Sequence, residues 1–379
     1  MKQMGTKKAY GGKVMADLRT KFCGKVLQSP FILGSGPAGF DAENLYLHYK
    51  AGAGAVVTKS ISIDGCKNTT RHMMANGKDC LINNEGGSDL PMKQWLDVEL
   101  PKAKELGVGV LIASVYGNGN LKDTLHIACE CERAGADMLE VVTDYHNPAD
   151  FVEKIGTIKK KVQIPIIAKV NSNWNNTEEV ADACVKSGVD AITAIDSVGP
   201  VYRVDIATGK PIMGGKGYGY MTGAPILPIA LRYVHDIAKS TEKPILGLGG
   251  ICSGRDAMEM LMAGASCVGV CSYPIIHGPQ AFTKLTKELA ELMDQYGYAD
   301  INAVSRKTIL DEKKETEISG VELIKEKCTR CGICLRSCPY RARTFSKDGM
   351  SVDARLCRKC GLCFGECPTG AVRLVSSYA

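Results

Sequence analysis

The sequence has no apolar run long enough to span a membrane, and its first stretch, Met1 to Lys13, lacks the apolar core of a secretory leader. A cytoplasmic chain with no membrane partner is expected. It also has little net charge over most of its length. The formal +6 falls entirely from Ile318 onward, where 11 Lys+Arg stand against 5 Asp+Glu, so the preceding residues sum to zero. A basic tail can serve nucleic acid, but this one lacks interleaved aromatics and is dense in cysteine, so no nucleic-acid partner is expected. Disulfides are not the expected use of the 17 cysteines either, because cytoplasmic thiols stay reduced. What remains is ordinary for a soluble globular protein: 379 residues, 45% hydrophobic and 23% charged, room for two or three domains.

Eight of the cysteines fall in one short stretch. They read Cys328-x2-Cys331-x2-Cys334-x3-Cys338-Pro339 and then Cys357-x2-Cys360-x2-Cys363-x3-Cys367-Pro368. This is the two-cluster ferredoxin run, in which three closely spaced thiolates wrap one [4Fe–4S] cluster and the fourth reaches the other. Cys328, Cys331, Cys334 and Cys367 are expected to hold one cluster, and Cys357, Cys360, Cys363 and Cys338 the second. A pair of zinc sites is the alternative, and the spacing with Pro after each fourth cysteine argues against it. Each cluster with its thiolates carries a formal charge of about −2, which offsets most of the basic surplus. The nine other cysteines read as small buried hydrophobes.

Ahead of the tail, short β-branched runs alternate with amphipathic stretches. Strands are expected at 31–34, 55–59, 109–115, 138–143, 164–170, 191–196, 244–249 and 267–272. Helices are expected between them, for example at 95–106, 121–134, 177–187, 225–240 and 253–263, with caps at Asn176 and Ser253. Eight repeats predict an α/β fold, a (β/α)8 TIM barrel over 1–309. A charged linker at 310–319 and a small ferredoxin-like two-[4Fe–4S] domain over 320–379 follow. In such a barrel the chemistry sits in loops after the strand C-termini.

Gly34-Ser-Gly36-Pro-Ala-Gly39 is a literal G-x-G-x-x-G after a strand, but the next strand ends at Lys59, where a dinucleotide site needs an acid. These glycines are instead expected to let a flavin ring approach the backbone. Gly249-Gly250-Ile251 after strand 7 and Cys271-Ser272 after strand 8 occupy the places of a barrel phosphate site. Lys59 and Lys169 end strands 2 and 5, where a buried ammonium needs an anion such as a reduced flavin.

The chain resembles the FMN-containing dihydroorotate dehydrogenase family, and within it the iron–sulfur branch that includes the catalytic half of NAD-dependent dihydropyrimidine dehydrogenase. The resemblance rests on Asp17–Gly24 with Pro30-Phe-Ile-Leu33, Thr58-Lys-Ser60, Ile166–Lys169, Ala191–Ser197, Thr222–Arg232, Gly249-Gly-Ile251 and the ferredoxin tail. It implies FMN held by Ser35, Gly36, Gly39, Lys59, Ser114, Lys169, Thr222, Gly223, Gly249, Gly250, Cys271 and Ser272. It implies hydride exchange at a ring C–C bond, and substrate contacts from Asn83, Asp89, Asp196 and Ser197.

The sequence departs from the family after strand 4. Where members carry a proton-transfer cysteine, this chain reads Asp144-Tyr145-His146-Asn147. Tyr145 or His146 is expected to move the proton, with Asp144 orienting; ordinary pKa values near about 10 and about 6.5 suit both to acid–base work. Cys66 and Cys80 remain as outside candidates. Asp89 and Asp196 stand where the family uses asparagine, and an ionised acid only accepts hydrogen bonds. The pocket should therefore favour a small nitrogen heterocycle rich in N–H groups, uracil-like rings first, over a carboxylate such as orotate. With no NAD site in the chain, a separate NAD(P)H-oxidising flavoprotein subunit or a ferredoxin is the expected partner, and a homodimer the expected assembly. The alternatives are an electron carrier that lacks substrate chemistry, and a reductase of a non-pyrimidine unsaturated substrate.

Overall fold

The structure, a computed structural model, describes residues 9–10, 13–14, 16–117, 120–142, 147–310, 318–346 and 349–376. The chain forms two compact units that divide after Leu310.

Eight parallel strands close the first unit into a barrel in chain order: β1 (Phe31–Leu33), β2 (Ala55–Val57), β3 (Leu111–Val115), β4 (Met138–Val141), β5 (Ile166–Val170), β6 (Ala191–Ala194), β7 (Ile245–Leu248) and β8 (Cys267–Val270). The ring shuts where Val268 of β8 pairs with Phe31 of β1. Every residue of these strands is buried, because helices cover the outside and side chains fill the inside. Helices lie where the periodicity predicts them, including Leu121–Arg133, Thr177–Lys186 and Gly254–Ala263. Ser253 caps the last of these by accepting a 3.2 Å bond from the Asp256 N–H.

Inward-facing residues follow the two-residue period of a strand. Ile32, Val57, Ile112, Met138, Ile167, Ala191, Leu246 and Cys267 form the lower apolar layer, closed from below by Phe22 and Leu27 of the hairpin Thr20–Phe22/Lys25–Leu27. At the opposite end, long connections after β2 and β6 meet in a four-stranded antiparallel sheet in the order Val198–Tyr202, Tyr218–Gly223, Cys80–Asn83, Met73–Ala75. This sheet was not expected from the sequence, which gave both connections as loops. No helix among the described residues is long and apolar enough to cross a membrane.

Of the stretch expected as a linker, Leu310 closes a short helix and Ile318 opens a strand; residues 311–317 lie outside the described residues. In the second unit Ile318–Leu323 pairs with Val372–Ser376, and Arg343–Ser346 with Gly349–Val352. Its halves repeat at an offset of 29 residues (357 less 328), which maps Cys328 onto Cys357 and helix Ile333–Arg336 onto Leu362–Gly365. Each of those helices follows a left-handed glycine, Gly332 (φ 74°) or Gly361 (φ 81°), a backbone region costly for other residues. Buried hydrophobic residues are few here, led by Cys334, Cys363 and Val372. A unit this small needs a staple beyond its apolar core.

Candidate active site

Two residues beyond the apolar layer, the same strand period brings polar side chains inward: Lys59, Ser114, Glu140, Lys169 and Thr193. Glu140 is fully enclosed. Its Oε2 accepts a 2.8 Å bond from the Thr193 hydroxyl of β6, over the intervening β5, while Oε1 has no hydrogen-bond partner among the described residues. Burial pushes its pKa above the usual carboxylate range. Lys169 Nζ lies 3.6 Å from Asp196 Oδ2. Burial opposes the Lys169 charge, yet Asp196 and then Glu140 outweigh it and hold the ammonium's pKa above its ordinary value. Sequence reasoning missed Glu140; the available signal was an acid inside the apolar run Met138-Leu139-Glu140-Val141.

Lys59 is also taken by acids. Its Nζ sits 2.9 Å from Glu85 Oε2 and 3.2 Å from Asp89 Oδ2. Glu85 in turn meets His72 Nε2 at 3.0 Å, and Asp89 accepts a 3.0 Å bond from Asn68. Desolvation works to raise the Asp89 pKa, but the Lys59 hydrogen bond and charge prevail and hold it below the usual range. Glu85 was not singled out, since nothing in its loop distinguishes it from a solvated acid. Alongside, the hydroxyls of Ser35, Ser60 and Ser114 form a chain with steps of 3.2 and 3.0 Å.

These groups surround a cavity of about 340 Å³ at the C-terminal ends of the strands. Ser35, Gly36, Lys59, Lys169, Thr222, Cys271 and Ser272 line it, as do Asn83, Asp196 and Ser197. A narrower space of about 50 Å³ shares Ser35, Lys169, Asp196, Thr222 and Cys271 with it and runs between Gly223, Gly249, Gly250 and Ser272. Ser114 reaches the cavity only through Ser60, and Gly39 and Asp89 line neither space. A Cβ on Gly39 would stand 2.5 Å from the Val57 carbonyl oxygen, so that glycine answers to backbone packing and not to an approaching ring. Gly36 lines the cavity, and its Cβ would lie 2.6 Å from Cys271 Sγ. Burial pushes the Cys271 thiol up to about 11, which keeps it neutral at pH 7. Of the two outside candidates, Cys80 is buried in a strand and Cys66 is half-buried; neither lines the cavity.

Asp144, Tyr145 and His146 lie outside the described residues. Val142, just before them, lines the cavity, and Asn147, just after, caps helix Pro148–Lys159 through the Ala149 N–H at 3.1 Å. A wide space joined to a narrow one, with glycine turns at the narrow end, fits a flat ring carrying a phosphate tail. Two buried cations flank it. The donor set therefore suits FMN.

In the second unit the cysteines fall into two groups. Cys357, Cys360 and Cys363 line one small cavity together with Cys338, and Cys328, Cys331 and Cys334 line another together with Cys367. The fourth cysteine of each run thus stands with the other run. Four cysteines to a cage, with the fourth crossing from the other run, is the ligand arrangement of a two-cluster ferredoxin.

Comparison with known proteins agrees with both units. Residues 17–293 match the family described as dihydroorotate dehydrogenase, and residues 327–371 match the 4Fe-4S dicluster domain. Three curated relatives are each named dihydroorotate dehydrogenase B (NAD(+)), catalytic subunit. That of Methanothermobacter thermautotrophicus is 34% identical over 75% of this chain and 96% of its own length. That of Methanocaldococcus jannaschii is 32% identical over 73% and 94%, and that of Pyrococcus abyssi 30% identical over 76% and 97%. The chain therefore belongs to the dihydroorotate dehydrogenase family, as an FMN- and iron–sulfur-dependent oxidoreductase acting on CH–CH groups.

Proposed function

We propose that the enzyme reduces or oxidises a ring C–C bond of a small nitrogen heterocycle that carries no carboxylate, with uracil-like rings and their dihydro forms first. Electrons pass through the two tail clusters to a partner. One observation carries this reading. Lys59 and Lys169, the only cations among the described residues lining the cavity, are both already held by carboxylates, and two of those acids, Glu85 and Asp196, line the cavity themselves. A carboxylate-bearing substrate such as dihydroorotate, the compound in the relatives' name, would enter beside Glu85 and Asp196 with no free cation to receive it. A ring with N–H donors would find acceptors in Asp196 and in the side-chain oxygen of Asn83.

FMN, when bound, supplies hydride transfer at the ring bond. The chain's own residues do the rest. The turns at Gly249-Gly250 and Cys271-Ser272 would hold the phosphate through backbone N–H groups, and Thr222 and Ser35 would flank the ring. Lys59 and Lys169 would donate ammonium hydrogen bonds to the flavin ring while keeping their acids. Tyr145 or His146, which follow Val142 in sequence, would deliver or remove the proton on the face opposite the flavin, with Asp144 orienting. The relatives are named as catalytic subunits of an NAD(+) enzyme. The G-x-G-x-x-G at 34–39 lacks the acid of a dinucleotide site, so a second polypeptide that oxidises NAD(P)H, or a soluble ferredoxin, would exchange electrons with the tail.

Anaerobic photoreduction of the flavin followed by addition of heterocycles tests the reading. Reoxidation by uracil or thymine at catalytic rates is the expected result. Reoxidation only by non-pyrimidine enones would reassign the substrate, and no response to any ring would leave an electron carrier.

A further inference from the structure

The internal repeat of the second unit is broken at one buried position. Ala342 and Ala371 are equivalent in the two halves and are 2% and 1% exposed. The residue after each differs: Val372, 2% exposed, in one half, and Arg343, 6% exposed, in the other. Val372 lines the cage of Cys328, Cys331, Cys334 and Cys367. Arg343 lines the cage of Cys357, Cys360, Cys363 and Cys338, and its Nη2 donates to Cys363 Sγ at 2.7 Å.

Packing does not account for the arginine, since valine fills the same slot in the twin. A buried guanidinium is costly unless an anion receives it. Among the described residues, the paired carboxylates of this unit are Asp353 with Arg355 and Glu322 with Arg373, and neither reaches Arg343. The anions on hand are thiolates: Cys363 of this cage receives the hydrogen bond, while Cys334 of the twin cage feels the Arg343 charge through space. The Cys363 cage is also lined by Arg358 and Lys359, where its twin has Thr329 and Arg330.

We infer that Arg343 sets the two clusters at unequal potentials, so that the one held by Cys357, Cys360, Cys363 and Cys338 accepts its electron first. Reduction adds one negative charge to a cage and makes or breaks no bond. A nearby cation that also donates N–H to a ligand sulfur stabilises the reduced form more than the oxidised one. The clusters thereby differ in rank although their cysteine spacing is the same. The electron comes to rest at the Arg343 end, and the relay has a direction.

The test is an anaerobic redox titration of the full-length protein followed by electron paramagnetic resonance, with iron measured on every sample. The wild type is expected to show two separate one-electron steps. Arg343→Val, which copies the twin, should lower the higher step more than the other, because only the higher cluster's cage loses a hydrogen bond to sulfur. The shift expected is at least tenfold in the electron-exchange equilibrium, or about 59 mV for one electron. Arg343→Lys should keep most of the gap. If Arg343→Val loses iron, Arg343→Gln replaces it, because an amide keeps a donor without the charge. Two unsplit steps in the wild type, or unmoved potentials in an uncharged variant that holds eight irons, would overturn the assignment.

Discussion

The ammonium of Lys59 lies 2.9 Å from the carboxylate of Glu85, and the two close one side of the barrel cavity with no charge to spare. Because Asp89, the second acid on Lys59, has a side chain 46% exposed, its attraction is screened and Glu85 is the stronger partner. Glu85→Gln should therefore free a cation for a carboxylate-bearing ring. Orotate affinity, read from the flavin absorbance change, is expected to rise about tenfold, near 1.4 kcal/mol, while that of uracil changes little. Equal effects on both ligands would show that Glu85 does not set the charge preference.

Lys169 should matter for cofactor retention and for stability. Lys169→Met leaves Asp196 and Glu140 facing each other without their cation, and breaking one partner of a buried pair costs about 3–5 kcal/mol. Flavin content, measured against protein, is expected to fall well below one per chain, with a lowered melting temperature. A full complement of flavin would remove Lys169 from the site.

Glu140 gives a pH signature. Its folded pKa lies above the unfolded value of about 4.3, so the folded state holds the proton more firmly. The stability this confers is present at low pH and is lost as pH rises from about 4.3 through the folded value. Glu140→Gln keeps an acceptor for the Thr193 hydroxyl and removes the titration. The wild type should lose melting temperature relative to this variant as pH rises through that window. Parallel profiles would contradict a buried, titrating Glu140.

The crossing of the fourth cysteines predicts a pattern of iron loss. Cys338→Ala should remove the same cluster as Cys360→Ala, so the double variant keeps about four irons. Cys338→Ala combined with Cys331→Ala should lose nearly all eight. If instead Cys338→Ala and Cys331→Ala together keep four, each run holds its own cluster.

The barrel was legible because its signal is local. Each strand is a short apolar run between helices with ordinary caps, and the observed strands β1 to β8 begin and end within two residues of expectation. Caps were less dependable one by one: Asn176 occupies the N-cap position but donates to Glu179 in place of capping. The cysteine cages were legible because covalent chemistry fixes their spacing. The sheet over the cavity was not. It joins Leu81 to Thr222, partners far apart in the chain, through strands of three to six residues in glycine-rich segments without alternation. Lys59 and Lys169 could be placed at the strand ends, but their acids could not all be foreseen. Glu85 arrives from a loop, and Glu140 from the neighbouring strand β4, two residues past the apolar layer. Sequence spacing carries no trace of the Glu85 approach, whereas Glu140 leaves one in the acid that interrupts its apolar run.

The account turns on a cavity whose cations are already neutralised. Equilibrium binding of uracil and of orotate to the oxidised, fully loaded enzyme at pH 7 measures that directly, because the two differ by one carboxylate. Uracil is expected to bind at least about tenfold more tightly, a difference near 1.4 kcal/mol. Tighter binding of orotate would show that Lys59 or Lys169 leaves its acids for the substrate, and would contradict the account.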